Sequence, residues 1–109
     1  MLAKLELLGG RAFLRRLIDT FLEQASAHLA RMRQARETGD LHTVGRSAHA
    51  MISSAGNLGA TALSDCARDL ERLADEGRTD AVDERLEELE ALFTLVRARL
   101  ESVRRELAT

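Results

Sequence analysis

The sequence predicts an all-α protein: an antiparallel up-down-up-down four-helix bundle with a short N-terminal helical turn. Three observations carry this. The 109 residues include no Pro, Trp or Tyr, and 45% are hydrophobic. Ala, Leu, Glu and Arg dominate, all strong helix formers, while Val, Ile, Thr and aromatic residues are too sparse for a sheet. Apolar residues recur at helical spacing over long stretches. Glycines at 39, 59 and 77 cut that pattern and leave short connections, which favour antiparallel neighbours. The same cuts argue against a coiled-coil dimer. The length suits a single domain over residues 1–109 and a monomer whose bundle closes on itself.

Leu2, Leu5 and Leu8 suggest a turn of helix closed by Gly9 and Gly10. The first long helix then runs from about Arg11 to Glu37. Its stripe is Leu14, Leu17, Ile18, Phe21, Ala25, Leu29 and Met32. Gly39 stands just past its end, as expected at a helix C-terminus. Asp40 reads as the N-cap of a second helix, about Leu41 to Leu58, with Leu41, Val44, Ala48, Met51, Ala55 and Leu58 inward. The third helix, about Ala60 to Asp75, turns Leu63, Cys66, Ala67, Leu70, Leu73 and Ala74 to the core and stops at Gly77. Thr79 or Asp80 can cap the fourth, about Ala81 to Leu107. Its stripe is Val82, Leu86, Leu89, Phe93, Val96, Leu100, Val103 and Leu107.

Composition excludes several function classes. Sixteen basic against eighteen acidic residues give a net charge of −2, so there is no electrostatic case for nucleic acid or an anionic membrane as partner. The single Cys66 makes neither an internal disulfide nor a thiolate metal site, and fits a reducing compartment. No apolar run reaches membrane-spanning length, and no signal-peptide pattern is present. No phosphate-binding Gly-rich motif is found, which argues against an ATP-dependent kinase.

The second helix is the informative one. At about 100° per residue, His42, Gly45, Arg46, His49, Ile52, Ser53 and Gly56 share a direction well away from the apolar stripe, and should face outward. An ordinary solvated face carries Glu, Lys, Arg and Gln. This one carries small residues and two histidines. Glycine inside a helix costs about 1 kcal/mol against alanine, so Gly45 and Gly56 need a reason. Approach of a partner surface is one; close helix–helix packing is the simpler.

The stretch from Ala48 to Ala60 resembles the signature of histidine-containing phosphotransfer (HPt) domains. That pattern is a histidine, an apolar residue two on, Lys-Gly-Ser, and a later Gly-Ala. His49, Met51, Ser54 and Leu58-Gly59-Ala60 match it. Leu63, Cys66, Leu70 and Glu71 are similar to the family's next helix, and Phe13 to Leu29 to the helix before the site. Two positions depart: Ile52 stands where the family has lysine, and Ser53 where it has glycine.

The resemblance implies a phosphorelay intermediate. His49 would accept a phosphoryl group from an aspartyl-phosphate receiver domain and pass it to another. It implies no cofactor in this chain, since the receiver brings the Mg²⁺ and the acidic residues that hold it. It also implies a cytoplasmic address, with the chain expected as the C-terminal domain of a hybrid sensor histidine kinase. The receiver would then be in the same polypeptide or a separate one. Phosphate or receiver contact is expected from Arg46, Ile52, Ser53, Gly56 and His42. Arg46 lies one turn before His49, where it can supply the charge that the missing lysine would have given. The alternative is a degenerate HPt-like module that docks a receiver or kinase domain without carrying phosphate.

The other candidates read more plainly. His28 sits at the edge of the first helix's stripe and reads as a boundary residue. His42 is about 10 Å along the axis from His49, too far to share a metal ion. Cys66 reads as a small core residue. Asp83, Glu84, Glu87, Glu88 and Glu90 read as a solvated helix face, and Asp65, Arg68, Asp69 and Arg72 as surface pairs.

Overall fold

The computed structural model describes the backbone of residues 2–108 and the side chains of residues 10–108. Within that range the chain is four helices: α1 (Leu2–Glu37), α2 (Leu41–Asn57), α3 (Thr61–Asp75) and α4 (Thr79–Ala108). α1 is broken at Gly10, whose φ of 78° and ψ of 178° are not helical. The short N-terminal turn is therefore set off from the long helix where the glycines predicted it. Leu2, Leu5 and Leu8 lie outside the described side chains.

All three tight connections end the preceding helix in the same way. Gly39, Gly59 and Gly77 take φ of 78°, 77° and 69°, a left-handed conformation that only glycine adopts without strain. At the first, Asp40 N–H donates to the Ala35 carbonyl at 2.8 Å and Gly39 N–H to that of Arg36 at 3.2 Å. Ala60 and Gly59 repeat this on Ala55 and Gly56, as do Arg78 and Gly77 on Leu73 and Ala74. These pairs are Schellman motifs, which satisfy carbonyls that a helix end would leave bare. Asp40 caps α2 as expected: its carboxylate accepts from Thr43 N–H at 3.1 Å and from the Thr43 hydroxyl at 2.6 Å. At α4 the expectation is corrected. The helix starts at Thr79, so Thr79 and Asp80 lie inside its first turn rather than capping it.

Each helix packs on two neighbours, α1 on α2 and α4, and α3 on α2 and α4. One hydrophobic cluster fills the centre, built from the predicted stripes with Ala35 added. Leu17, Leu41, Val96, Val103 and Leu107 pack at its margin, half-buried. Phe21 and Phe93 meet inside it with ring centroids 6.3 Å apart at 53°, a tilted arrangement that suits aromatic quadrupoles.

Helix length decides where the site sits. α4 has 30 residues, and at about 1.5 Å per residue it spans the full 45 Å of the molecule. With 17 and 15 residues, α2 and α3 cover only part of that length. The long pair is tied by ions. Arg33 bonds Glu90, Arg36 bonds Asp83, and further along Arg104 Nε reaches Asp19 at 2.7 Å. Asp83 and Glu90 therefore do more than line a solvated face, because they fasten α4 to α1. Periodicity placed them beside the apolar stripe but had no means of naming partners 47 and 57 residues away.

Candidate functional site

His49 sits in mid-α2 between residues locked into the core. Val44, Ala48, Met51 and Ala55 are each 0% exposed. That anchoring fixes the helix rotation and turns the His49 side chain, 71% exposed, to solvent. The outward face holds in the main: His42, Arg46, Ser53 and Gly56 are exposed. Ile52 is half-buried and rests on the core at the α3 edge.

Gly45 corrects the expectation that it faces outward. It is buried against α3, where a Cβ would stand 3.5 Å from the Ala74 Cβ and 3.5 Å from Asp75 Oδ1. Those are ordinary contact distances, so α3 covers the position without requiring glycine there. At Gly56 a Cβ would meet only the Ser64 hydroxyl, at 3.6 Å. That hydroxyl donates to the Ile52 carbonyl at 2.8 Å, so α3 holds α2 by a hydrogen bond one turn from His49. Ser54, which matches the signature serine, spends its hydroxyl on its own helix, donating to the Ala50 and Met51 carbonyls, each at 3.3 Å.

The contact that sequence reading missed comes from α3. Glu71 Oε2 lies 2.8 Å from His49 Nδ1, with the carboxylate side chain 29% exposed. In the sequence Glu71 stands out only by its similarity to the family's next helix. No periodicity within one helix pairs residues on two helices. A carboxylate at this distance favours the imidazole tautomer with its proton on Nδ1, which leaves the Nε2 lone pair free.

Two open grooves flank the histidine. One, about 460 Å³, runs between α2 and α3 and is lined by His42, Gly45, Arg46, His49, Ala50, Glu71 and Asp75. The other, about 360 Å³, runs between α1 and α2, lined by His28, Arg31, His42, Thr43, Arg46, Ser47 and Ala50. Arg46 lines both. His28 is half-buried, as a boundary residue should be, and burial with the nearby Arg31 charge lowers its pKa. Cys66 is buried with its sulfur 3.6 Å from the Arg85 carbonyl, and burial pushes its thiol up to about 11. Such a thiol is inert near neutrality. Arg72 pairs with Glu76 at 3.4 Å, an i,i+4 contact in place of the expected ones with Asp65 and Asp69. Among the described residues no three His, Cys, Asp or Glu side chains gather to hold a metal ion. No helix among them is long and apolar enough to cross a membrane.

Comparison with known proteins agrees with this geometry. No curated protein matches the sequence. The backbone is similar to the crystal structure of histidine-containing phosphotransfer protein B from Pseudomonas aeruginosa PAO1. The TM-score is 0.91 at 26% identity, covering 96% of this chain and 90% of that one. The family model of the Hpt domain matches residues 16–106. With the signature lying in that span on an all-helical bundle of the same shape, the chain belongs to the Hpt domain family, the phosphotransfer domains of phosphorelays.

Proposed function

We propose that the chain carries phosphate on His49, taking it from the aspartyl phosphate of a receiver domain and giving it to another. The observation that carries this is the His49–Glu71 contact on an otherwise open ring: 2.8 Å at Nδ1, with the side chain 71% exposed. In the resting state Nδ1 holds the proton against Glu71, and the Nε2 lone pair attacks phosphorus. The N–P bond forms as the P–O bond to the aspartyl carboxyl breaks, and the free carboxylate leaves. Positive charge arising on the ring faces the Glu71 carboxylate, which stabilises it as the bond forms. The return transfer reverses each step. A rigid helix serves this well, because in-line attack needs the nucleophile held in place.

The chain supplies position more than catalytic groups, and the receiver partner is to bring Mg²⁺ with the acidic residues that bind it. Arg46 stands one turn before His49, about 4.5 Å along the axis, where its guanidinium reaches phosphoryl oxygens. Exposed Ser53 offers a hydroxyl one turn after His49, on the same flank as Arg46. Ile52 adds apolar area beside the histidine, and His42 and Gly56 fall within the receiver's footprint. The same outward site serves a separate monomeric carrier or the terminal domain of a hybrid sensor kinase in the cytoplasm.

The test is labelling from a phosphorylated receiver, with acid-labile phosphate measured on the wild type and on His49→Gln. Label on the wild type alone is expected. Binding of the receiver without label would return the docking-only module.

A further inference from the structure

Phosphate transfer engages only the His42 and Arg46 edge of the cleft between α1 and α2, although the cleft is rich in donors and holds no carboxylate. Arg31 Nη1 bonds His28 Nδ1 at 3.1 Å. A guanidinium has only donors, so the histidine nitrogen accepts, which keeps His28 neutral with its proton on Nε2. Ser47 is 4% exposed and lines the cleft with its hydroxyl-bearing side chain. Arg46 has no carboxylate partner among them either. Thr43 is already held by both oxygens of Asp40. Across His49 the sign reverses, since Glu71 and Asp75 line the groove on the α3 side.

We propose that this cleft receives a carboxylate side chain from the protein that docks over His49. The cleft shares His42, Arg46 and Ala50 with the groove beside the histidine. A protein covering about 800 Å² on each side cannot sit on one without reaching the other. The lining donors Arg31, Arg46, Ser47 and His28 match the acceptor-only chemistry of a carboxylate. The reversal of charge across α2 then orients the partner, with its acidic surface toward α1 and not toward α3. This rests on the phosphotransfer reading only in requiring that a protein docks at His49.

The test is an NMR titration of the intact chain with the capped peptide Asp-Glu-Asp-Glu, beside its neutral counterpart Asn-Gln-Asn-Gln and inorganic phosphate. Saturable shifts are expected with the acidic peptide at the Arg31 and Arg46 Nε–H groups and the Ser47 amide. Arg31→Gln should weaken that binding at least fivefold. Three results would overturn the proposal: no saturable shift, shifts spread equally over the remote Arg15, Arg68 and Arg99, or a cleft that responds to phosphate and not to the peptide. His49 labelling by phosphoramidate, which needs no docked protein, is read on the same wild-type sample. Labelling without the shift refutes the cleft alone, and the shift without labelling refutes the acceptor alone.

Discussion

Replacing Glu71 by alanine removes the carboxylate that stands at His49 Nδ1. The contact is 2.8 Å, between a carboxylate 29% exposed and an imidazole 71% exposed. A hydrogen bond to a charged group is worth about 1.5–3 kcal/mol where it is shielded, but exposed pairs measure about 0.2–1 kcal/mol. The half-shielded geometry puts the loss near the top of the exposed range, about 1 kcal/mol, or roughly fivefold in rate. The assay is single-turnover labelling of His49 from phosphoramidate, with long-range ¹⁵N spectra reporting which ring nitrogen carries the proton. Glu71→Ala should slow labelling about fivefold and shift the proton from Nδ1 toward Nε2. Glu71→Gln keeps an oxygen acceptor without the charge, so it should preserve the tautomer and lose less rate. Stability should move by no more than about 0.5 kcal/mol, as for most surface changes. An alanine variant with wild-type rate and wild-type tautomer would refute the positioning role.

The glycines separate by backbone. Gly45→Ala meets only ordinary contacts, so it should stabilise by about 0.5–1 kcal/mol in denaturant melts, whereas Gly39→Ala, at φ 78°, should cost about 1–2 kcal/mol. With Arg46 in place, Ile52→Lys puts a cation one turn past His49 that competes for Glu71, so it should slow labelling, while loss of its half-buried contact lowers the melting temperature slightly. Asp83 is held below its ordinary pKa near 3.8 by the Arg36 hydrogen bond. Its contribution is therefore complete above that value and lost as pH falls through the lower folded one, so Asp83→Asn should flatten the acid limb of stability against pH. Cys66, with its pKa raised to about 11, should resist iodoacetamide at pH 8 until the chain unfolds.

Helix content, order and connections were legible because they rest on local rules. The stripes from Leu14 to Met32 and from Val82 to Leu107 fix which face turns inward. Gly39, Gly59 and Gly77 mark ends by a backbone conformation that other residues take only with strain. The face of α2 was legible too, but not its depth. A single-helix projection gives an angle and cannot say how near the next helix lies. Gly45 thus projects with the exposed residues, yet α3 covers it at Ala74 and Asp75. Contacts between helices were the unreadable part. Glu71 to His49, Ser64 to the Ile52 carbonyl and Arg36 to Asp83 all join residues that no period within one helix relates.

The two departures from the family pattern gain a common physical sense from these contacts. Three residues after His49 and three before it are each about 60° round the helix, on opposite sides. The family places its lysine after the histidine, toward α3. Here that flank holds Ile52, half-buried, with its carbonyl tied to Ser64, and the acidic Glu71 beside the ring. A lysine there would lie close to Glu71 and compete with His49 for its carboxylate. With Ile52 in its place, Glu71 keeps the imidazole as its partner and positive charge moves to Arg46, on the flank facing α1. On this reading the missing lysine transposes the charge across α2 instead of removing it. The double variant Arg46→Ile, Ile52→Lys separates the two ideas. If charge is needed at either flank, labelling of His49 by phosphoramidate should recover relative to Arg46→Ile alone. If the flank matters because the partner's acidic surface lies toward α1, transfer from a receiver should stay impaired even as small-donor labelling recovers. Equal recovery of both would show that position across α2 carries no specificity.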